Sequence, residues 1–428
     1  MENNSSNYHL HNPSLFTLDK LQERGTNSET IYNQNRRLIL KLVKNSDVIT
    51  RKEIIEKTGL KGATITIIIN EFLETGIIKK IGLMEGTSGR RVMGFRFANE
   101  DYCSIAIRIS ISYIKIGVYD FDCNNLYIKK IFYDTLSNIN NTCELIANEI
   151  EVAKEHFAEK SVIGVGVGVE GPYVIKNGYY KLWQPYNVEE FFDIGKVLAN
   201  KIPYPIIVNK ANNFGVYDIW KNEGKDNQPG IFVNISVSYT IECGIIINGE
   251  IVNGLSGTVG LLGNFPIIEE ANDHVLTLND VCSSSAVVKK VLQCIDDYPN
   301  SSLQTVKNNI NIRDVIKAFM NEDELGTKIF TEVGIHLGRV IAIIINFLNP
   351  DYIFIGDELP LNSRMHQIIE KEAQKYCNKS INFNLHMEDF DFEQSRDTKL
   401  DPTLIGASKY VADAFLHSMK FNEEKEKK

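Results

Sequence analysis

The box Thr50-Arg-Lys-Glu53, closed by Gly59 and followed by a second periodic run, constrains this chain more than any other stretch. Thr50 and Glu53 have capping-box spacing, so each side chain can satisfy a free backbone N–H at a helix start. Gly59 stands where a helix ends in a left-handed turn, with Leu60 placed to pack back on it. In Lys61–Glu74, Ile65, Ile68, Ile69 and Phe72 share one helical face, and Thr64, Ile67, Asn70 and Glu71 fall on or near the other. Upstream, Asn33–Leu42 carries Leu38, Ile39 and Leu42 at helical spacing and predicts a first helix. Downstream, Ile77–Gly82 and Arg91–Phe97 read as strands joined by the Gly/Ser-rich wing Gly86–Gly89. The outline is a winged helix-turn-helix, a module whose partner is duplex DNA.

A competing reading exists for the second helix. The run Thr64-Ile-Thr-Ile-Ile-Ile69 is β-branched and, taken alone, suits a buried strand. The capped helix before it and the polar Asn70-Glu71 within it favour a helix. Lys61, Thr64, Thr66, Ile67 and Asn70 are then expected to face the major groove, with Arg51 and Lys52 opening the preceding helix nearby. Arg90 and Arg91, at the wing, are placed for phosphate or minor-groove contact. Charge agrees: residues 1–100 hold 15 Lys and Arg against 11 Asp and Glu, and the remainder holds 31 against 44. Only the N-terminal module suits a polyanion; the rest repels one.

Length predicts two or three domains. The polar N-terminus lacks the basic-then-apolar pattern of a secretion signal. The longest apolar run, Val340–Leu348, is far short of a membrane span and fits a buried helix. A cytoplasmic protein with no membrane partner is expected. The seven cysteines are dispersed without Cys-x-x-Cys spacing and read as reduced thiols. The eight histidines are equally scattered, so no metal site and no cofactor is predicted.

From Tyr102 onward strands alternate with helices. Cys103–Ile109, Tyr113–Tyr119 and Asn125–Asp134 are strand-like, Cys143–Phe157 is helical, and Val162–Val169 is an alternating Gly/Val strand. Ile109-Ser-Ile-Ser-Tyr113 then reappears as Ile235-Ser-Val-Ser-Tyr239, each time between apolar strands. Two such units imply an α/β domain of two related lobes, with a ligand cleft between them. The helical stretch Glu322–Leu348 is a candidate for lobe packing or dimer contact.

These residues also carry a family resemblance. Asn35-Arg36, Thr58-Gly-Leu60, Ala63-Thr64 and Ser88-Gly-Arg-Arg91 mark the first module. Gly164-Val-Gly-Val-Gly168, Gly171-Pro172, Ala211-Asn212, Asn248-Gly249, Gly254-x-x-Gly257-x-x-Gly260 and Asn349-Pro350 mark the second. In order and spacing the chain resembles the ROK family, sugar-responsive repressors and sugar kinases on a two-lobed actin-like, ribonuclease H-like fold. The resemblance runs from about Asn33 to Phe415.

The departures from the family are informative. Where its kinases have Asp-Gly-Gly-Thr to admit phosphate, this chain reads Arg108-Ile-Ser-Ile-Ser112. The second phosphate turn reads Ser238-Tyr239-Thr240, and the adenosine-side Gly-Gly reads Gly356-Asp357. The family's catalytic Asp is Lys210 within Asn209-Lys-Ala-Asn212, and an ammonium cannot accept a hydroxyl proton. Of the sugar-contacting set only Asn209 is retained: Leu261, Asn264 and Asn279 replace a glutamate, the histidine and a later glutamate. The Cys-rich zinc loop is missing too. Lys210 either meets an anionic sugar derivative or is neutralised by a carboxylate such as Glu170, which replaces a family proline. Trp183 and Tyr186 are candidates to line the same cleft. Lys61 and Ile67 stand where the family usually has Ser and Arg. Ile67 meets a thymine methyl better than a guanine edge.

The expected organisation is therefore a flexible arm at 1–30, a winged helix-turn-helix at 31–99, a ROK-like two-lobed domain at 100–418 and a charged tail at 419–428. The function implied is a non-enzymatic transcriptional regulator, a repressor of carbohydrate-related genes, whose partners are palindromic duplex DNA, a sugar or anionic sugar-derivative effector and a second copy of the chain as a dimer or dimer of dimers; a sugar kinase with an accessory DNA module and a pseudokinase scaffold are the alternatives.

Overall fold

The computed structural model describes residues 28–85, 91–111, 113–132, 139–171, 173–176, 179–182, 194–223, 230–255, 257–269, 275–378, 383–387 and 401–418. The first module comprises α1 (Ser28–Lys44), β1 (Ile49–Thr50), α2 (Arg51–Thr58), α3 (Gly62–Glu74), β2 (Ile78–Glu85) and β3 (Arg91–Phe97). The capping box on α2 forms with both bonds present, and Gly59 ends the helix at φ 69°. The β-branched run is helix, because Ile65, Ile68, Ile69 and Phe72 together bury one face completely. Helix α1 starts at Ser28, ahead of the boundary expected at residue 31. Its first turns are held by tertiary contact: Tyr32 Oη donates to Glu71 at 2.8 Å, and Arg36 pairs with the same carboxylate at 2.5 Å.

The remainder is two five-stranded sheets of one design. The first lobe contains β4 (Tyr102–Ile109), β5 (Tyr113–Asp120), β6 (Asn125–Phe132), α4 (Ile139–Ala153), β7 (Ser161–Val169), the ribbon β8 (Tyr173–Lys176) and β9 (Tyr179–Leu182), α5 (Ile194–Ala199) and β10 (Ile206–Lys210). Its sheet order is β10-β7-β4-β5-β6. The second lobe begins at α6 (Ala211–Glu223), then β11 (Ile231–Val237), β12 (Ile241–Ile247), β13 (Glu250–Ile251) and the ribbon β14 (Pro266–Glu269) and β15 (Val275–Thr277). It continues with α7 (Leu278–Cys282), α8 (Ser284–Cys294), α9 (Ile312–Met320), α10 (Glu324–Leu348), β16 (Tyr352–Asp357), α11 (Ser363–Gln374) and β17 (Leu385–Met387). Its sheet order, β13-β12-β11-β16-β17, is the same meander followed by parallel strands. The predicted duplication is real, but the matched pentapeptides are not equivalent in space. Ile109 ends β4 immediately before its turn, whereas Ile235 lies two residues before the end of β11.

The last helix, α12 (Pro402–Ser418), returns to lie on β4 and β7, back to back with α6. The Gly/Val alternation of β7 explains how. Val165, Val167 and Val169 join the outer core with α4, while Gly166 and Gly168 face α12. A Cβ on Gly166 would come within 2.9 Å of Ala407, and one on Gly168 within 2.7 Å of Thr403. Helix α10 is long and apolar enough to cross a bilayer by those measures alone. Here Leu325, Phe330, Val333, Leu337, Ile341 and Ile345 pack it into the second lobe's core, so it serves lobe packing.

The first module docks on the first lobe through aromatic rings. Phe97 lies 4.5 Å from Phe121 and 6.0 Å from Tyr102, and Lys44 Nζ stands 5.0 Å over Phe121. One continuous hydrophobic cluster runs from Ile39 and Phe72 to Tyr410 and Val411.

Candidate nucleic-acid interface and interlobe cleft

Helix α3 presents the residues expected at DNA. Lys61 and Asn70 are exposed, Ile67 is 54% exposed, and Thr64 and Thr66 are half-buried on the same side. Lys61 occupies the N-cap with extended backbone but makes no side-chain cap, as a side chain without an acceptor must. Lys52 is exposed on α2. Arg51 is not a free contact: its Nη2 donates to Asn70 Oδ1 at 3.1 Å and its guanidinium lies over the Phe95 ring at 5.3 Å. It braces α2 against α3 and orients Asn70. Arg91 begins β3, and Arg90 lies outside the described residues, as do Trp183 and Tyr186.

Between the lobes, Arg108 at the vestigial phosphate turn is the centre of an ion network. Its side chain is 9% exposed and reaches Glu170 at 2.5 Å, Asp357 of the second lobe at 3.2 Å and Asp401 ahead of α12 at 3.4 Å. Lys115 adds a bond to Asp401 at 2.8 Å, and Ser110 Oγ donates to Glu170 at 2.5 Å. Burial works to raise the Asp401 carboxyl, but Lys115 and Arg108 outweigh it and hold the group below the usual carboxylate range. Ser236 bonds Asp357 from the second sheet. Arg108, Lys115 and the three acids are thus already paired with one another between the lobes.

The residues expected to form an effector pocket are only partly brought together. Asn209 and Lys210 end β10 and are buried. Lys210 Nζ donates to the Val259 carbonyl. Asn209 Oδ1 accepts from the Lys210 N–H at 2.9 Å and from Asn213 at 2.8 Å. Glu170 is not the acid that answers Lys210, because Arg108 and Ser110 engage it. That role falls to Glu242, an acid within the apolar strand β12 that sequence reasoning missed. Burial lowers the Lys210 amine from its usual value, with Glu242 acting in the opposite sense. Burial pushes Glu242 up to about 7, against the pull of Lys210. Asn279 is structural: its Oδ1 accepts from the Ile241 N–H at 2.9 Å, and its amide lies on Gly263. Asn264 is exposed. No group of three or more His, Cys, Asp or Glu among the described residues is arranged to hold a metal ion.

Comparison with known proteins adds to this geometry. Residues 104–413 match the ROK family. The DNA-binding transcriptional dual regulator NagC of Escherichia coli (strain K12) is 23% identical over 340 residues, 78% of this chain and 82% of that protein. The xylose repressor of Bacillus subtilis (strain 168) is 23% identical over 333 residues, 76% of this chain and 82% of that one. A solved ROK family transcriptional regulator, a homolog of the E. coli MLC protein, superimposes with a TM-score of 0.73 at 22% identity, covering 90% of this chain and 98% of its own. A ROK family glucokinase from Streptomyces griseus, in complex with glucose and AMPPNP, gives a TM-score of 0.58 at 17% identity over 72% of this chain and 98% of its own. With one family matched across both lobes and their shared sheet topology, this chain belongs to the ROK family.

Proposed function

We propose that this protein is a sequence-specific DNA-binding transcriptional regulator, a repressor of carbohydrate-related genes. It acts in the cytoplasm as a homodimer or dimer of dimers on palindromic duplex DNA, where two α3 helices about one turn apart read paired half-sites. The observation that carries this reading is α3 itself, where exposed Lys61, Ile67 and Asn70 flank half-buried Thr64 and Thr66 on a capped and braced helix pair. The similarity to NagC and to the xylose repressor supports it. Retardation of the chain's own upstream DNA tests it, with loss of binding expected for Asn70→Ala combined with Ile67→Glu. No retardation at low salt sinks the proposal. Ile67 favours an A·T-rich half-site, so a G·C-centred consensus contradicts the assignment of that residue.

The two-lobed portion does no phosphoryl transfer in this reading. Lys210 replaces the acid that would take the proton, and Arg108 at the vestigial phosphate turn is already paired with acids. ATP-dependent phosphorylation of any hexose by the purified chain contradicts this. The same portion senses a neutral sugar. Lys210 already donates to Val259, whereas among the described residues the buried Glu242 Oε1 and Asn213 Oδ1 have no hydrogen-bond partner. Sugar hydroxyls supply such donors. Ligand would bind one dimer geometry better than another and shift the population that fits the operator. Stabilisation by anionic sugars alone in a thermal-shift series refutes the neutral version.

A further inference from the structure

Helix α10 has three flanks in three different environments. Its inner flank, with Leu325, Val333, Leu337, Ile341 and Ile345, lies in the core of the second lobe. Helix α11 covers a second flank at Gly334 and Gly338, where a Cβ would come within 2.6 Å of Ile368 and 2.7 Å of Glu372. The third flank carries Glu332, His336, Arg339, Ile343 and Phe347, spaced three or four residues apart and so aligned in one stripe. That stripe runs about 22 Å along the axis at 1.5 Å per residue.

The stripe turns apolar toward its C-terminal end. Ile343 is 52% exposed and Phe347 82%, which makes it the most exposed ring among the described residues. Tyr376, at the end of α11, is 54% exposed beside them, its carbonyl accepting from Asn346 Nδ2 at 2.9 Å. Single exposed apolar side chains are ordinary, but neighbouring ones mark a contact surface. The basic residues at its border are not bare charges. Arg339 Nε donates to Glu372 at 3.1 Å, and Lys375 pairs with the same carboxylate. Arg339 is still 46% exposed, and a guanidinium bonded in its plane keeps a face to offer a ring.

We propose that this stripe is the surface through which two copies of the chain pair, α10 antiparallel to α10, about a two-fold axis at Ile343. In a two-fold interface, residues at equal distances on either side of the axis meet. Arg339 lies four residues before Ile343 and Phe347 four after it. The axis therefore brings each Phe347 ring to the Arg339 guanidinium of the other copy, twice over, and sets Ile343 against its own equivalent. An exposed ring and a guanidinium face attract one another, and the symmetric spacing supplies both from a single surface. A different protein as partner would require no such spacing. The proposal rests on the reading of a homodimer on palindromic DNA and names the surface that forms it.

Sedimentation equilibrium of the full chain without DNA tests it. The native chain is expected to dimerise in the micromolar range. Phe347→Lys, which sets two cations together at each Arg339, is expected to weaken the dimer at least about 30-fold. Ile343→Cys tests the axis: on mild oxidation it should cross-link to its own equivalent, since a disulfide needs Cα atoms within about 7 Å. Lys289→Cys, exposed on α8, should cross-link no more than the native chain does. A monomeric native chain, an unaltered dimer in Phe347→Lys, or an Ile343→Cys yield no higher than that of Lys289→Cys overturns the proposal. DNA retardation is read separately: a native chain that is dimeric yet retards no DNA removes the α3 reading and leaves this interface standing.

Discussion

Replacing Arg108 with Met tests whether the lobes are joined by the ion network. The substitution nearly preserves length and apolar stem but removes the one cation shared by Glu170, Asp357 and Asp401. Lys115 keeps its bond to Asp401, so the other two carboxylates lose their cation and keep only the hydroxyls of Ser110 and Ser236. Removing one partner of a buried ionic group costs about 3–5 kcal/mol, a large share of the ~5–15 kcal/mol that holds a folded protein. The pH dependence gives the sign. In the native chain Asp401 is depressed, so its contribution is present above the ordinary carboxylate pKa and is lost as pH falls through the folded value. In Arg108→Met, Asp401 keeps Lys115 alone of its two cations, so less of that contribution remains to be lost. Urea denaturation followed by tryptophan fluorescence should show the gap between the two proteins narrowing as pH falls below the ordinary aspartate value of 3.8. Arg108→Lys should fall between them, since an ammonium cannot reach three acids as a fork does. A loss under about 1 kcal/mol, or a gap that widens on acidification, refutes the reasoning.

Two further outcomes follow from single residues. Lys61→Ser should stabilise the chain by about 1 kcal/mol, because the extended N-cap of α3 then gains the acceptor it lacks; an unchanged urea midpoint counts against the cap geometry. Glu242→Gln should flatten the stability profile between the ordinary glutamate value of 4.5 and about 7. The carboxyl is raised in the fold, so it favours the folded state below the unfolded pKa, and that contribution is lost as pH rises through the folded one. A variant profile parallel to the native one dismisses Glu242 as the group responsible.

The reading head was legible because its signals are local. The capping box, Gly59 and the four buried residues of α3 lie within 25 positions of each other, and each fixes backbone or face without help from elsewhere. The β7 alternation was likewise visible, though what its glycines admit was not, since α12 is more than 200 residues away. The cleft network was illegible for the same reason: Arg108 meets Asp357 across 249 residues and Asp401 across 293. Lys210 was singled out, but pairing it with Glu170 rested on that residue replacing a family proline, and Arg108 had the stronger claim on that acid. Glu242 did leave a signal, being the one charge in the strand Ile-Glu-Cys-Gly-Ile-Ile-Ile. A carboxylate among buried strand residues demands a partner, and Lys210 was the candidate at hand.

Helix α12 deserves a mechanical description. Asp401, just ahead of its first residue, is gripped by Arg108 and Lys115, and Phe415 near its other end lies against Tyr102 and Phe121. Asp413 in the same last turns is tied to Lys221 at 2.6 Å and feels Lys44 of α1. The two ends are about 21 Å apart along the axis at 1.5 Å per residue. A rod gripped at both ends converts a tilt of either lobe into a displacement at the seat of the DNA-reading module, with no flexible tether in between to absorb it. Cutting that module free would strip a shared core, so the reader cannot be transplanted without its lever.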